Sequence, residues 1–587
     1  MIYLRRKMNK KAPCARGMIR SLGMKRKNDF LKRSKLKPFY LFSLSILAFV
    51  FITALWFCAG EQPTEANGSK FQIEISFSGS VHPEPITGRV FVMLSKENRP
   101  EPRLQAGSWH RSCPFFGIDI ENLRPGEKVI IGEKILGYPL RSLADIPSGD
   151  YYLQALVNIY TQFKRADGHT IWAHMDQWEG QQFNRSPGNL YSEVKKVHLD
   201  QNRGYQVALT MDKVIPPVEV PPDTQWVKRI KIKSQLLSEF WGRPIYLGAT
   251  ILLPKGYDTH PAVYYPVHYI QGHFSLRPPY GFKEDSGFYK VWTAEDFPRM
   301  ICVTFQHPTP FFDDSYAVNS ANCGPYGDAL LTELIPYIEG HFRIIRQPYA
   351  RVLSGGSTGG WESLALQIFH PDFFGGTWSF YPDPVDFRYY GLVNIYEDEN
   401  AFTKPFGWLT LERPLMRDVH GQVIVTMRQM SQLEAVLGSR GRSGQQLDAW
   451  QAVYGPVGKD GYPAPLWDKL TGKINQEVAR YMGERYDLRA YLEKNWARIG
   501  PSLAGKIHVY CGDMDHFYLN EAVYELEEFL EKTTNPYYGG SFEHGRPRQG
   551  HGWNPFGYGT GQLERAMADF IEQHSPASAR PPTWRYK

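Results

Sequence analysis

One serine of the sequence lies in a setting that favours nucleophilic chemistry. Ser357 stands in the stretch RVLSGGSTGGWESLALQIF, with Gly355 and Gly359 two residues away on either side. A serine hydroxyl is a weak nucleophile at neutral pH, so it needs an adjacent base and donors that hold an oxyanion. The flanking sequence predicts a strand, a sharp turn and an apolar helix, and such a turn presents the hydroxyl at the carboxyl edge of a sheet. The alternative is a flexible glycine loop before a helix.

The neighbours of the serine fit the sharp turn. At such an elbow the backbone passes close to both strand and helix, so side chains at positions 355 and 359 would clash. The start of the helix adds free N–H groups and the positive end of the helix dipole. We therefore expect the Thr358 N–H to be one oxyanion donor. The second donor is expected near Gly272 and His273, which follow the strand YYPVHYIQ.

Candidates for the acid and the base come later in the chain. Asp513 and Asp515 follow the strand KIHVYCG, where a carboxylate can point back across the sheet edge, although either could cap the next helix instead. His551 stands between glycines in RQGHGWNPF, and His544 is the alternative base. The order Ser, Asp, His favours a triad of Ser357, Asp515 and His551, with Asp513 as the second choice for the acid.

The elements around these residues predict an α/β domain over residues 241–575. Near-continuous apolar runs such as YYPVHYIQ and RMICVTFQ are typical of parallel strands buried on both faces. Strands alternate with amphipathic helices, which favours a mostly parallel sheet. The rhythm breaks at about residues 389–505, where we expect a helical insertion over the carboxyl edge of the sheet.

A separate β region is expected before this domain. Between residues 70 and 215, runs such as FQIEISF and YQVALTM alternate apolar and polar side chains, which is typical of half-buried strands. This pattern predicts an N-terminal β-sandwich-like domain. Residues 216–240 begin inside the proline-rich stretch VIPPVEVPPDTQW. They are expected to form an extended linker.

The first 60 residues have the character of a leader. Residues 1–58 carry 14 Lys and Arg and one acidic residue, whereas the remaining chain carries 53 Lys and Arg and 59 Asp and Glu. The mildly acidic body argues against nucleic acid as a partner. The uncharged run at residues 39–58 has 20 residues, enough to cross a bilayer. We expect a signal peptide or membrane anchor, with lipidation of Cys58 as an alternative, and an extracytoplasmic (secreted, periplasmic or anchored) body.

The cysteine content indicates no metal centre. Four cysteines are spread between residues 113 and 511, and no CxxC motif is present in the chain. Cys302 and Cys323 could pair in an oxidising compartment or remain buried thiols. The chemistry expected at Ser357 needs neither a metal nor an organic cofactor.

Together these motifs resemble the putative esterase (esterase D-like) family of the α/β-hydrolase superfamily. Members include S-formylglutathione hydrolases, feruloyl esterases, enterochelin esterases and mycolyltransferases. The matching pieces span about residues 245–560 and are ILLPKGYD, YYPVHYIQGHF, GDALLTELIPYIEGHFRI, ARVLSGGSTGGWESLALQIFHPDFFGG, KIHVYCGDMDHFYL and GHGW. The resemblance implies an α/β-hydrolase fold, with Ser357 as nucleophile, His551 as base and Asp515 as acid.

The sequence departs from the family pattern at two places near the expected oxyanion site. Gln271 precedes Gly272 where members often have histidine, and Thr358 follows the serine where members often have Met, Gln or Phe. The insertion is also larger than in compact members, and substrate specificity is expected to lie there.

The leading hypothesis is a secreted or membrane-anchored serine carboxylesterase that works through an acyl-enzyme. Its substrate would be a small-molecule or carbohydrate-linked ester. One alternative is an acyltransferase that passes the acyl group to a sugar hydroxyl instead of water. The other is a non-catalytic glycan-binding protein on a hydrolase fold.

Overall fold

The structure, a computed structural model, describes residues 70–109 and 111–586. The leader, the apolar run at residues 39–58 and Cys58 lie outside the described residues, so the expectations about them stay predictions. Within the described ranges, the helices are too short or too polar to serve as a bilayer span.

The described residues from 70 to 214 form a ten-stranded sheet. Its strands are β1 Phe71–Phe77, β2 Ile86–Ser95, β3 Phe115–Leu123, β4 Val129–Gly132, β5 Gly137–Tyr138, β6 Gly149–Lys164, β7 Thr170–His174, β8 Leu190–Ser192, β9 Lys195–Leu199 and β10 Tyr205–Val214. The main path runs β4-β1-β10-β8-β6-β2-β3-β5, and β7 and β9 both pair with β6. Alternating residues such as Ile73 and Ile75 are fully buried in a core of this region's own. The expected strands are therefore present, and a separate sandwich-like domain stays a prediction.

The proline-rich stretch that follows is shorter than the expected linker. Strand β11 (Val227–Ser234) and helix α1 (Gln235–Trp241) already belong to the α/β region, because β11 pairs along its whole length with the next strand. Ser234 caps α1 by accepting from Leu237 N, and Gly242 ends it in a left-handed conformation.

In the α/β region, strands and helices alternate along the chain. Up to the insertion they are β12 Ile245–Leu252, β13 Val267–Gln271, α2 Gly287–Trp292, β14 Ile301–Gln306, β15 Asn319–Ser320, β16 Gly324–Pro325, α3 Tyr326–Ala329, α4 Ile335–His341, β17 Arg351–Gly356, α5 Thr358–Phe369 and β18 Gly376–Phe380. A π-helical turn, Leu330–Leu334, joins α3 to α4.

The insertion and the elements that follow it complete the chain. They are β19 Thr403–Phe406, β20 Leu409–Glu412, β21 Pro414–Arg417, β22 Val423–Thr426, α6 Met427–Leu437, α7 Gln446–Tyr454, α8 Gln476–Tyr486, α9 Leu488–Leu503, β23 Ile507–Gly512, α10 Leu519–Glu531, β24 Ser541–Gly545 and α11 Gln562–His574. Single 3-10 turns lie at Pro102–Leu104, Leu143–Asp145, Pro279–Gly281, Pro348–Ala350, Phe387–Tyr389 and Ala577–Ala579.

The central sheet of this region is mostly parallel, which confirms the predicted α/β class. Its order is β11-β12-β14-β13-β17-β18-β23-β24. The pairs β11–β12 and β12–β14 are antiparallel, and every later pair in the order is parallel. Gln271 pairs with Gly355 and Gly355 with Ser379, so the carboxyl ends of β13, β17 and β18 meet at one edge of the sheet.

The insertion is mixed rather than helical as expected. Two antiparallel hairpins, β19–β20 and β21–β22, precede its four helices. The hairpin strands have four residues each, too short for their alternation to stand out in the sequence.

The β region packs directly on the insertion. The Arg89 guanidinium donates to the Val436 carbonyl of α6 at 2.8 Å, and Arg442 pairs with Asp119 of β3 at 2.9 Å. Arg165 donates to the Gly461 carbonyl at 2.9 Å. These charge-assisted bonds make the β region a support for the insertion.

The cysteines of the described residues are free thiols. Cys302 and Cys323 are both buried and unbridged, which is the second of the two alternatives expected from the sequence. Burial raises the pKa of both thiols, so they stay protonated and unreactive at neutral pH.

A buried ion cluster joins two helices of the insertion. Lys469 contacts the Glu434 carboxylate of α6, and its Nζ lies 2.5 Å from Asp448 Oδ1 of α7. Both carboxylates are fully buried. Glu434 also accepts from the Leu447 and Asp448 N–H groups at 2.8 and 3.0 Å, at the start of α7. Burial raises the pKa of Glu434 to about 7, against the opposing effect of Lys469.

Replacing Lys469 is expected to destabilise the insertion. Lys469→Met leaves two carboxylates buried without their cation, so we expect the free energy of unfolding to fall by about 3–5 kcal/mol in urea denaturation. Lys473→Met, an exposed change nearby in the chain, serves as the control and should stay within about 0.5 kcal/mol of wild type. Equal stability of the two variants would contradict the assigned role of the cluster.

Candidate active site

The turn at Ser357 has the strained geometry expected from the sequence. Ser357 has φ 59° and ψ −122° and joins β17 directly to α5. A Cβ on Gly355 would overlap the Gly359 carbonyl, and a Cβ on Gly359 would overlap the Gln271 carbonyl at the end of β13. Both glycines are therefore required by close backbone contact, and the turn is not a flexible loop.

The side chains of Asp515, in the loop after β23, and His551, in the loop after β24, contact each other. His551 Nδ1 donates to Asp515 Oδ2 at 2.8 Å, and the Asp515 carboxylate is fully buried. Its second oxygen accepts from the Phe517 and Leu519 N–H groups at 2.8 and 3.2 Å. Because Nδ1 donates to the carboxylate, Nε2 of the neutral ring keeps a lone pair that can accept a proton.

The two alternative residues have other partners. Asp513 Oδ1 accepts from the Gln549 N–H at 2.9 Å and so fixes the loop that carries His551. His544 Nε2 lies 2.7 Å from Glu527 Oε2 on α10. The structure therefore pairs Asp515 with His551 and gives Asp513 and His544 other contacts.

Ser357 and His551 approach the same tyrosine. Tyr381, the residue after β18, has its ring centroid 4.6 Å from that of His551. A Cβ on Gly356, next to Ser357, would overlap the Tyr381 hydroxyl. The serine turn and the imidazole therefore flank Tyr381 at the carboxyl edge of the sheet.

In this structure the Ser357 hydroxyl donates to Asp383, a residue that the sequence analysis missed. The Oγ to Oδ1 distance is 3.3 Å, and the Asp383 N–H donates to the Ser357 carbonyl at 3.1 Å. Asp383 follows β18, the strand next to β17, and this position at the carboxyl edge was the one available sequence signal.

Asp383 is the centre of a buried polar network. Its Oδ2 accepts from the Tyr316 hydroxyl at 2.6 Å and from the Thr358 hydroxyl at 3.0 Å. The Trp450 indole and the Gln446 amide of α7 donate to the same oxygen, both at 3.2 Å. Burial raises the pKa of Asp383, and the donors Tyr316, Thr358 and Trp450 partly offset this. The Asp383 carboxylate thus joins three parts of the chain: the loop after β14, the Ser357 turn and the insertion.

The expected oxyanion residues border the same turn. Thr358 is fully buried and is the first residue of α5, where a backbone N–H has no partner within the helix. Gly272 Cα lies close to Gly359, so the loop that carries His273 runs against the first turn of α5.

His273 contacts two carboxylates in addition. Its Nδ1 lies 3.1 Å from Asp313 Oδ1 and 3.3 Å from Asp314 Oδ2. Partial burial of this half-exposed ring lowers the pKa of His273, but Asp313 and Asp314 outweigh that effect and raise the pKa well above its ordinary value. These three residues are also the one group within the described ranges whose donor atoms are grouped closely enough to hold a metal ion.

The insertion and the β region both reach the acid–base pair. Arg417 of β21 donates from Nε to the Asp515 carbonyl at 3.0 Å. Phe517 packs edge-on against the His551 ring at 4.9 Å, and Trp109 of the β region packs against Phe517 at 5.5 Å. The β region thus supports this part of the site through Phe517.

A large cavity lies beside the oxyanion loop. Its volume is about 900 Å³, and its walls come from the β region, the proline-rich stretch and the segment that follows His273. Trp178, Phe274 and Phe282 supply apolar surface, while Arg185 and Arg277 are among the charged wall residues. The cavity extends from the residue next to His273 toward the β region.

Truncating Asp383 is expected to destabilise the site more than neutralising it. Asp383→Ala leaves the Tyr316, Thr358 and Trp450 donors without their acceptor, and each buried unsatisfied donor costs about 1–3 kcal/mol. We expect the free energy of unfolding to fall by about 3 kcal/mol or more, whereas Asp383→Asn keeps an oxygen for these donors and loses less. Urea denaturation of both variants measures the difference, and equal losses would contradict the network.

Solved esterase structures resemble part of this chain. A ferulic acid esterase is 17% identical and covers 59% of this chain and 98% of its own, with a TM-score of 0.35. An S-formylglutathione hydrolase from Agrobacterium tumefaciens is 13% identical (60% and 96% covered, TM-score 0.30). The feruloyl esterase module from Clostridium thermocellum, an S954A mutant complexed with sinapinate, is 12% identical (61% and 92% covered, TM-score 0.30). No curated protein matches the chain.

The family comparison covers the α/β region together with its insertion. The model described as "Putative esterase" matches residues 246–557, more than half of the 587 residues. The matched range includes the Ser357 turn and the His551–Asp515 pair. The chain therefore belongs to the putative esterase family.

Proposed function

We propose that this protein is a serine carboxylesterase with Ser357 as nucleophile, His551 as general base and Asp515 as the acid that orients the base. The observation that carries the proposal is the Ser357 turn. A non-glycine residue at φ 59° is held there by backbone contacts on both sides, at a sheet edge where an imidazole–carboxylate pair lies across Tyr381. Strain of this kind is typical of a nucleophile turn.

The proposed reaction starts when substrate enters and the Ser357 hydroxyl turns from Asp383 toward His551. His551 Nε2 takes the hydroxyl proton while Oγ attacks the ester carbonyl. Asp515 holds the ring in the correct tautomer and stabilises the imidazolium. The Thr358 N–H and an N–H near His273 hold the oxyanion. His551 then returns the proton to the leaving alcohol, and water cleaves the acyl-enzyme by the same steps.

The insertion is proposed to select the substrate. Gln446 and Trp450 of α7 donate to Asp383 beside Ser357. Arg417 of β21 donates to the backbone carbonyl of Asp515. A substrate therefore meets the insertion on both sides of the reacting carbonyl. The proposed substrate is a small-molecule or carbohydrate-linked ester.

The site of action is proposed to lie outside the cytoplasm. The support is in the sequence alone, in the basic segment followed by the apolar run of 20 residues at 39–58. The same run gives the protein its route to a membrane, either as a retained anchor or through lipidation of Cys58.

Removing the nucleophile tests the assignment directly. Ser357→Ala is expected to lower kcat/KM for short acyl esters such as p-nitrophenyl acetate by at least about 10,000-fold, because no other hydroxyl takes its place. An organophosphonate probe should label the wild type and not the variant. Equal hydrolysis by wild type and variant would refute the proposal.

Two matched pairs of variants test the acid and the base. His551→Gln and Asp515→Asn should each lower kcat by about 1,000-fold or more. Their counterparts His544→Gln in β24 and Asp513→Asn in the loop after β23 have other partners and should keep kcat within about tenfold of wild type. Thermal unfolding of all four variants separates lost folding from lost catalysis. A reversed order within either pair would reassign that role.

A further inference from the structure

Charged groups that the proposed esterase mechanism leaves unused meet beside the oxyanion loop. His273 comes from the loop after β13, and Asp313 and Asp314 come from the loop after β14. Their donor atoms all lie within 4.8 Å of one another. Glu362, in the second turn of the nucleophile helix α5, faces Asp314 from behind and is fully buried.

The spacing of these atoms suits a metal ion. His273 Nδ1 is 3.1 Å from Asp313 Oδ1 and 3.3 Å from Asp314 Oδ2. Ligands bound at about 2.0–2.2 Å to one ion lie about 3.0–3.4 Å apart when they occupy neighbouring positions. The same distances also suit hydrogen bonds from a charged His273 ring. A second observation is therefore needed to distinguish a metal site from an ion pair.

That observation is a set of buried oxygens that lack donors. Within the described residues, Asp314 Oδ2 and both oxygens of Glu362 have no hydrogen-bond partner. The Nδ1–H of His273 makes its shorter contact with Asp313, at 3.1 Å, so Asp314 Oδ2 at 3.3 Å at most shares that hydrogen. Buried carboxylate oxygens that lack a donor are unfavourable, and the positive charge of a bound cation would stabilise them.

The neighbouring histidine does not supply that charge. His307 Nδ1 accepts from the Ser315 N–H at 3.0 Å, so the ring of this tautomer carries its proton on Nε2, 4.0 Å from Glu362 Oε1. Burial lowers the pKa of His307 to about 4, which keeps the ring neutral.

We propose that His273, Asp313 and Asp314 bind one divalent cation of the Mn²⁺ or Zn²⁺ type, with Glu362 balancing its charge from behind Asp314. Mixed imidazole and carboxylate ligands suit these ions. The cation joins the loop after β13 to the loop after β14 and so fixes the oxyanion side of the site, without a part in bond cleavage. The sequence analysis expected no metal here, and this proposal departs from it.

Metal binding by the untagged full chain tests the proposal independently of esterase activity. After dialysis against a chelator, we expect equilibrium dialysis with Mn²⁺ or Zn²⁺ to show one bound ion per chain and the thermal unfolding temperature to rise with bound metal. Asp313→Asn changes a half-buried carboxylate and should weaken binding at least about tenfold. Asp258→Asn, an exposed residue outside the cluster, should bind like wild type.

Two results would overturn the proposal. One is the absence of stoichiometric binding by the wild type at about 1 mM free ion. The other is equal affinity of Asp313→Asn and wild type, which would place the bound ion elsewhere. A second variant, Glu362→Gln, covers the case in which Asp313→Asn fails to fold. Without metal, Glu362→Gln should be at least as stable as wild type. With metal, its thermal unfolding temperature should rise less than that of wild type. An equal gain in Glu362→Gln and wild type would count against the site.

Discussion

The site depends on backbone packing at the turn between β17 and α5. Gly355 contacts Gly359 across the turn, and Gly359 contacts the end of β13 at Gln271, with no space for a Cβ at either glycine. This contact holds Ser357 in its strained conformation and sets the loop that carries His273 against the start of α5. Ser357 and the loop that carries His273 are therefore positioned by the same few backbone atoms, and a shift in one moves the other.

Around this turn, Asp383 links segments that are far apart in the chain. Its carboxylate accepts from Tyr316 in the loop after β14, from Thr358 at the turn and from Trp450 in the insertion. A buried carboxylate with several donors is rigid because moving it would leave all of them unsatisfied. The insertion is thus held against the Ser357 turn by the same carboxylate that accepts the serine hydroxyl.

The opposite side of the site is supported differently. Asp515 is held by backbone N–H groups and Arg417, and His551 is packed by Phe517, which in turn packs against Trp109. The β region therefore stabilises the acid–base side through an aromatic contact, while a polar network stabilises the nucleophile side. The β region and the α/β region belong to one compact unit.

By itself the sequence determined what local patterns encode: the alternation of strand and helix, the mostly parallel sheet, and the turn at Ser357 with its two glycines, whose steric requirement shows in the residue types. Only the tertiary structure paired Asp515 with His551, because Asp513 and His544 carry the same local signals. It alone brought Asp383 to the serine. It alone gathered the charged cluster at His273, since its members come from separate segments and meet only when the strand ends align at one sheet edge.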